Sequence, residues 1–144
     1  MIRPILVYPN KRLRAKSKAI EAFDDGLNQL LDDMHDTMIE YKGVGIAAIQ
    51  IGIALRALVI NIPNEDGIQT IDGRIEAINP NIVLAEGSAV CSEGCLSIPE
   101  FNEEVERYER VRVEFYDRHG VFNTIDAEGL LAIAFQHEMD HLDG

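Results

Sequence analysis

Tryptophan is absent from this 144-residue chain, aromatic residues make up only 6% of it, and there are just two cysteines and five prolines. With so few rings, the core has to be built from Ile, Leu, Val and Ala. Two cysteines, Cys91 and Cys95, are too few for a disulfide framework. No apolar stretch reaches the roughly 20 residues of a membrane-spanning helix. Met1-Ile2-Arg3-Pro4 lacks the apolar run of a signal peptide, and Pro4 argues against a helical targeting segment. A reducing cytoplasm is the expected compartment. Positive charge is scarce as well: 13 Lys and Arg face 25 Asp and Glu, for a net charge of −12. Such a body does not bind nucleic acid or anionic membranes through its overall field. The early basic run (Lys11, Arg12, Arg14, Lys16, Lys18) reads as solvated surface.

What is present is ordinary for a globular chain: 47% apolar and 26% charged residues, enough for one compact domain spanning 1–144. From Asp24 to Lys42, Leu27, Leu30, Leu31, Met34, Met38 and Tyr41 recur at helical spacing. Asp24 or Asp25 can cap that helix and Gly43 can end it. A glycine-bounded loop, Gly43 to Gly52, precedes a mostly apolar stretch from Ala54 to Ile62 that suggests a buried strand stopped by Pro63. Short strands are expected near Ile75 to Ile78 and Asn81 to Ala85. Val111 to Phe115 alternates with period two, and the turn Asp117-Arg118-His119-Gly120 pairs it with a strand near Val121 to Ile125. A second helix is expected over Ala127 to Leu142 with Asp126 as its cap. On it Leu130, Ile133, Ala134, His137 and His141 share a face that should point inward. Together these elements predict an α+β fold, mostly antiparallel sheets packed around a central helix.

His137-Glu138-Met139-Asp140-His141 is an H-E-x-x-H pattern on that helix. Residues four apart on a helix point the same way, so both imidazoles can reach one ion. Glu138 can then lean toward a water beside it. A plainer reading is two satisfied histidines on a partly buried helix, and the amphipathic setting favours the metal. A catalytic ion needs a third protein ligand and an open position. His35, His119, Cys91, Cys95 and many carboxylates are candidates. His35 lies among core methionines and His119 in a turn. Cys95 is the better choice, because Gly94 beside it lets the backbone come close to another element, although a free cysteine is more usually a small buried apolar residue. A closed Cys2His2 site is disfavoured, since Cys95 and His137 are much further apart than zinc-finger ligands and Glu138 would have no role.

Three blocks stand in order: Gly43-Val44-Gly45-Ile46-Ala47-Ala48-Ile49-Gln50-Ile51-Gly52, Glu93-Gly94-Cys95-Leu96-Ser97-Ile98-Pro99, and Gln136-His137-Glu138-Met139-Asp140-His141-Leu142. They resemble the three signature motifs of peptide deformylases, and Tyr8-Pro9, Leu13-Arg14, Asp33-Met34 and Thr37-Met38 match that family's N-terminal region. The resemblance covers nearly the whole chain. It implies a metal-dependent hydrolase that removes the formyl group from the N-terminal formyl-methionine of nascent proteins and releases formate. Cys95, His137 and His141 would be the metal ligands. Glu138 would be the general acid/base, and Gln50 with the Leu96 backbone amide would form the oxyanion hole. The ion would be divalent, ferrous iron before nickel, cobalt or zinc. The resemblance suggests a methionine slot walled by Val44, Cys91, Glu93, Leu130, Ile133 and Ala134, with Gly45 and Gly94 beside an extended peptide and Arg107 paired to Glu93.

There are two departures from the family pattern. Ile49 stands where the family often has Pro, which would stiffen the loop that aims Gln50. The chain stops at Gly144, where family members usually continue, often into a C-terminal helix implicated in ribosome contact in some bacteria. A short form and a truncated one both fit. The implied partners are formyl-methionyl nascent peptides and a transient contact with the ribosome. H-E-x-x-H is shared with zinc peptidases, but these usually draw a third ligand from downstream, and only Leu142, Asp143 and Gly144 follow His141. A non-catalytic metal-stabilised module is the other rival, and Glu138, Gln50 and Cys95 argue against it.

Overall fold

A computed structural model describes residue 2 and residues 17–41, 43–63, 66–69, 74–95 and 98–142. Over 89–95 and 98–106 it describes the backbone. Helix α1 (Asp25–Glu40) is followed by strand β1 (Gly45–Ala47), a 3-10 turn (Ala48–Ile51), and strands β2 (Ala57–Asn61), β3 (Arg74–Glu86), β4 (Ala89–Cys95), β5 (Ile98–Arg107), β6 (Arg110–Tyr116) and β7 (Phe122–Glu128). Helix α2 (Gly129–Leu142) comes last. The strands form a five-stranded sheet in the order β1-β2-β3-β6-β7 and a separate two-stranded sheet, β4-β5. Every pairing between these strands is antiparallel. The α+β expectation holds, and the H-E-x-x-H helix is the last of the described elements.

Strand β2 explains the architecture. All five of its residues are buried, because a helix covers each face of the sheet there. Leu58 and Ile60 join the cluster with Phe135 and Leu142 of α2. Ala57 and Val59 join Leu31, Met34 and Met38 of α1. A strand buried on both faces reads as a nearly continuous apolar run, and Ala54 to Ile62 is apolar except for Arg56 and Asn61. Helix α1 begins where its cap predicts: Asp24 Oδ1 accepts the Leu27 N–H at 3.0 Å. It ends at Glu40, two residues before the expected Lys42, and the Gly43 N–H returns to the Met38 carbonyl at 2.9 Å. The turn between β6 and β7 is tied to the other layer by Arg118, which donates to Asp32 of α1 and Glu76 of β3.

Two expectations need correction. The short strands near Ile75 to Ile78 and Asn81 to Ala85 are one strand of 13 residues. Asn79-Pro80 looks like a break but is a bulge: the pairing of β3 with β6 shifts between Ile78 and Asn81. Proline is tolerated at such a point because no ladder N–H is needed. Asn79 sits at φ +52°, and its carboxamide bonds both backbone groups of Ile20, at 2.7 and 2.8 Å. Asp126 does not cap α2. It lies in β7, paired across the strand with Arg112 at 2.7 Å, and β7 runs straight into the helix at Gly129.

Asn79 therefore stabilises the fold twice, by tolerating a left-handed backbone and by anchoring Ile20. Asn79→Ala is expected to cost about 2–3 kcal/mol in urea unfolding. Asn79→Gly, which removes the backbone strain but not the lost bonds, should cost less. Equal losses would mean that backbone strain at Asn79 contributes nothing.

Candidate active site

The junction between β7 and α2 needs a left-handed residue, and Gly129 supplies it at φ +62°. The helix then turns its Ala132, Phe135, Met139 and Leu142 face into the core. The stripe expected to point inward is instead a rim: Leu130 is exposed, Ile133, His137 and His141 are half-buried, and Ala134 is buried. The reason is that this helix is apolar around most of its circumference, so periodicity alone does not select the buried face.

The rim position brings the motif together. The rings of His137 and His141 stand 5.1 Å apart between centroids, at 78° to one another. One ligand atom from each of His137, Glu138 and His141 lies within 4.8 Å of the others. Glu138 is only 3% exposed. It lies against β1: a Cβ built on Gly45 would stand 3.0 Å from Glu138 Cγ and 3.2 Å from Cδ and Oε2. The carboxylate thus occupies space that any side chain at position 45 would claim. A buried carboxylate beside two imidazoles is donor chemistry suited to a divalent cation, and these residues fit one.

The 3-10 turn after β1 folds Gln50 back on its own strand, where Gln50 Oε1 accepts the Ala47 N–H at 2.9 Å. Only an acceptor can face that N–H, so Oε1 is fixed there and Nε2 is turned away from it. Gln50 is buried along with its neighbours Ala48, Ile49 and Ile51. That packing holds the turn in place of the stiffening proline.

The model of the polypeptide deformylase family matches residues 2–144. The chain belongs to the peptide deformylase family. It is 53% identical over 140 residues to the peptide deformylase of Nautilia profundicola and 51% identical to that of Helicobacter pylori strain P12. Each match covers 97% of this chain and 80% of the relative. Among solved structures, the Legionella pneumophila peptide deformylase superposes with a TM-score of 0.91 at 44% identity, covering 99% of this chain and 81% of that one. The Thermotoga maritima enzyme gives 0.91 at 36% identity, covering 99% and 92%. As a peptide deformylase the chain is a hydrolase acting on formyl-methionyl peptides, and it removes the N-formyl group of nascent proteins. The family is one of metalloenzymes, and the His137, Glu138 and His141 group is a cluster able to hold an ion.

The other residues expected at the site fall in different places. Gly45 opens β1 and Val44 immediately precedes it, its carbonyl accepting the Asn61 N–H at 2.9 Å. Cys91, Glu93, Gly94 and Cys95 follow one another along β4. The β4–β5 register shifts between Gly94 and Cys95, an irregularity of the kind that re-aims side chains. The side chains of Cys91, Glu93 and Cys95, and all of Leu96, lie outside the described residues. Arg107 forms an ion pair with Asp140. His35 sits on the α1 side of the sheet with its Nε2 3.0 Å from Asn61 Nδ2, and His119 is exposed in its turn. The contact of Gly45 with Glu138 is between residues far apart in the chain and is not evident from the sequence. Its local signal is the paired glycines of Gly43-Val44-Gly45.

Gly45→Ala tests that contact. The alanine methyl forces Glu138 to give way by a few tenths of an ångström, and kcat for formate release should fall by about tenfold. Bound metal and thermal stability should stay near those of the unaltered enzyme. An unchanged kcat would show that the carboxylate has room to spare.

Proposed function

We propose that deformylation here uses a divalent ion, ferrous iron, held by Cys95, His137 and His141 in one catalytic domain spanning 1–144. Glu138 moves the proton, and Gln50 and the Leu96 N–H stabilise the developing charge. The observation that carries this reading is the approach of His137, His141 and the buried Glu138 to within ligand distance of one another. When bound by Cys95, His137 and His141, such an ion would supply Lewis acidity and make a water acidic enough to lose its proton near neutral pH. Glu138, held against β1, takes that proton and passes it to the departing amine. Oxygen adds to the formyl carbon, the carbon–nitrogen bond breaks, and formate leaves with a free amino terminus behind it. Negative charge growing on the formyl oxygen meets Nε2 of Gln50 and the Leu96 amide.

Specificity for methionine falls to a slot bounded by Val44, Cys91, Glu93, Leu130, Ile133 and Ala134. The half-exposed rim of α2 supports it, since a slot must be open to receive a side chain. Strand β1 is an edge of the five-stranded sheet, so an extended peptide can pair along Gly45. A thiolate ligand and a ferrous centre both call for a reducing compartment, so the cytoplasm is the proposed location. Contact with the ribosome, where formylated chains emerge, belongs to the same reading. Among the described residues no helix is long and apolar enough to cross a membrane.

Two substitutions test the assignment, in protein purified anaerobically. Glu138→Gln should retain metal and lose about 10²–10⁴-fold in formate release; full activity would remove Glu138 from the mechanism. Cys95→Ala should bind metal far more weakly by elemental analysis, and an unchanged content would reject it as a ligand.

A further inference from the structure

The β4–β5 hairpin forms a sheet of its own, and a two-stranded hairpin is marginally stable in water unless another element holds it. Where β5 ends, the chain meets α2. Gln136 Oε1 accepts the Tyr108 N–H at 2.9 Å, and Gln136 Nε2 donates to the Tyr108 carbonyl at 2.9 Å. A side-chain amide thereby takes the place of a neighbouring strand. The same Nε2 donates to the Ala132 carbonyl at 3.0 Å, which holds the carboxamide to its own helix. One residue earlier, Arg107 donates to Asp140. Gln136 is 7% exposed, whereas the Asp140 side chain is 66% exposed, so the ion pair is screened and the amide is the stronger grip.

Gln136 and Asp140 are four residues apart, as are His137 and His141. Helix α2 therefore carries two adjacent stripes one residue out of phase, one of imidazoles and one that grips the hairpin. We infer that Gln136, supported by the Arg107–Asp140 pair, is a positioning residue: it sets the β4–β5 hairpin in register with the imidazole stripe and so holds the hairpin's metal donor at the site. The inference rests on the assignment of Cys95 as the third ligand. Glutamine is suited to it because one side chain both donates and accepts; glutamate would accept from the Tyr108 N–H but set a carboxylate against the Tyr108 carbonyl.

The test uses metal-loaded protein and no formyl substrate. Nickel release to a chromophoric chelator is timed, and hydrogen exchange is read along the backbone. Gln136→Leu should speed release by about 10–100-fold and raise exchange over 89–106 while β2 and β6 stay as in the unaltered protein. Gln136→Glu, which keeps the volume and the acceptor, should lie between, and Arg107→Ala should have a smaller effect. Release as slow as before in both Gln136 variants, or exchange rising equally across β2 and β6, overturns the latch. In a Cys95→Ala background Gln136→Leu should no longer speed release; an undiminished effect there overturns the link to Cys95. A protein that yields no formate would defeat the functional reading and leave this one standing.

Discussion

Residues four apart on an α-helix face the same way, and the site depends on that period being held at one rotation of α2. The core fixes the rotation. Ala132, Phe135, Met139 and Leu142 are buried against the sheet, and Phe135 packs on Phe115 with ring centroids 6.3 Å apart. Burying each large side chain on that face stabilises the packing by roughly 1.5–3 kcal/mol. Turning the helix to bury the imidazoles would forfeit most of it. The histidines are left on the rim, half-buried, where a cation and a substrate can both reach them.

The sheet supplies the opposite wall. Strand β1 is short and lies at the sheet's edge, yet its chain holds Gly45 against Glu138 and leads into the turn that orients Gln50. The proposed proton carrier and one oxyanion donor are therefore fixed by the same few residues. Both are buried, Gln50 in the 3-10 turn after β1 and Glu138 on α2. That rigidity suits chemistry in which small displacements cost rate.

Much of this was legible in the amino-acid order, because the features concerned are local or periodic. The α1 pattern with Asp24, the mostly apolar run of β2, and the paired histidines of α2 each follow from repeats of the backbone. Other features depend on partners distant in the chain. Asn79-Pro80 reads as a strand break until Ile20 is seen to receive the Asn79 carboxamide. Asp126 reads as a helix cap until Arg112 is seen opposite it. The buried face of α2 could not be chosen from a helix apolar on most sides. Gln136 looked like part of a motif rather than a partner of Tyr108, since nothing within a few residues of it announces the hairpin.

The account stands or falls on the convergence of one thiolate with two imidazoles. X-ray absorption at the metal edge of zinc-loaded protein measures that directly. The account predicts a single sulfur at about 2.3 Å alongside nitrogen at about 2.0–2.1 Å. A first shell of nitrogen and oxygen alone, with no sulfur, would contradict it.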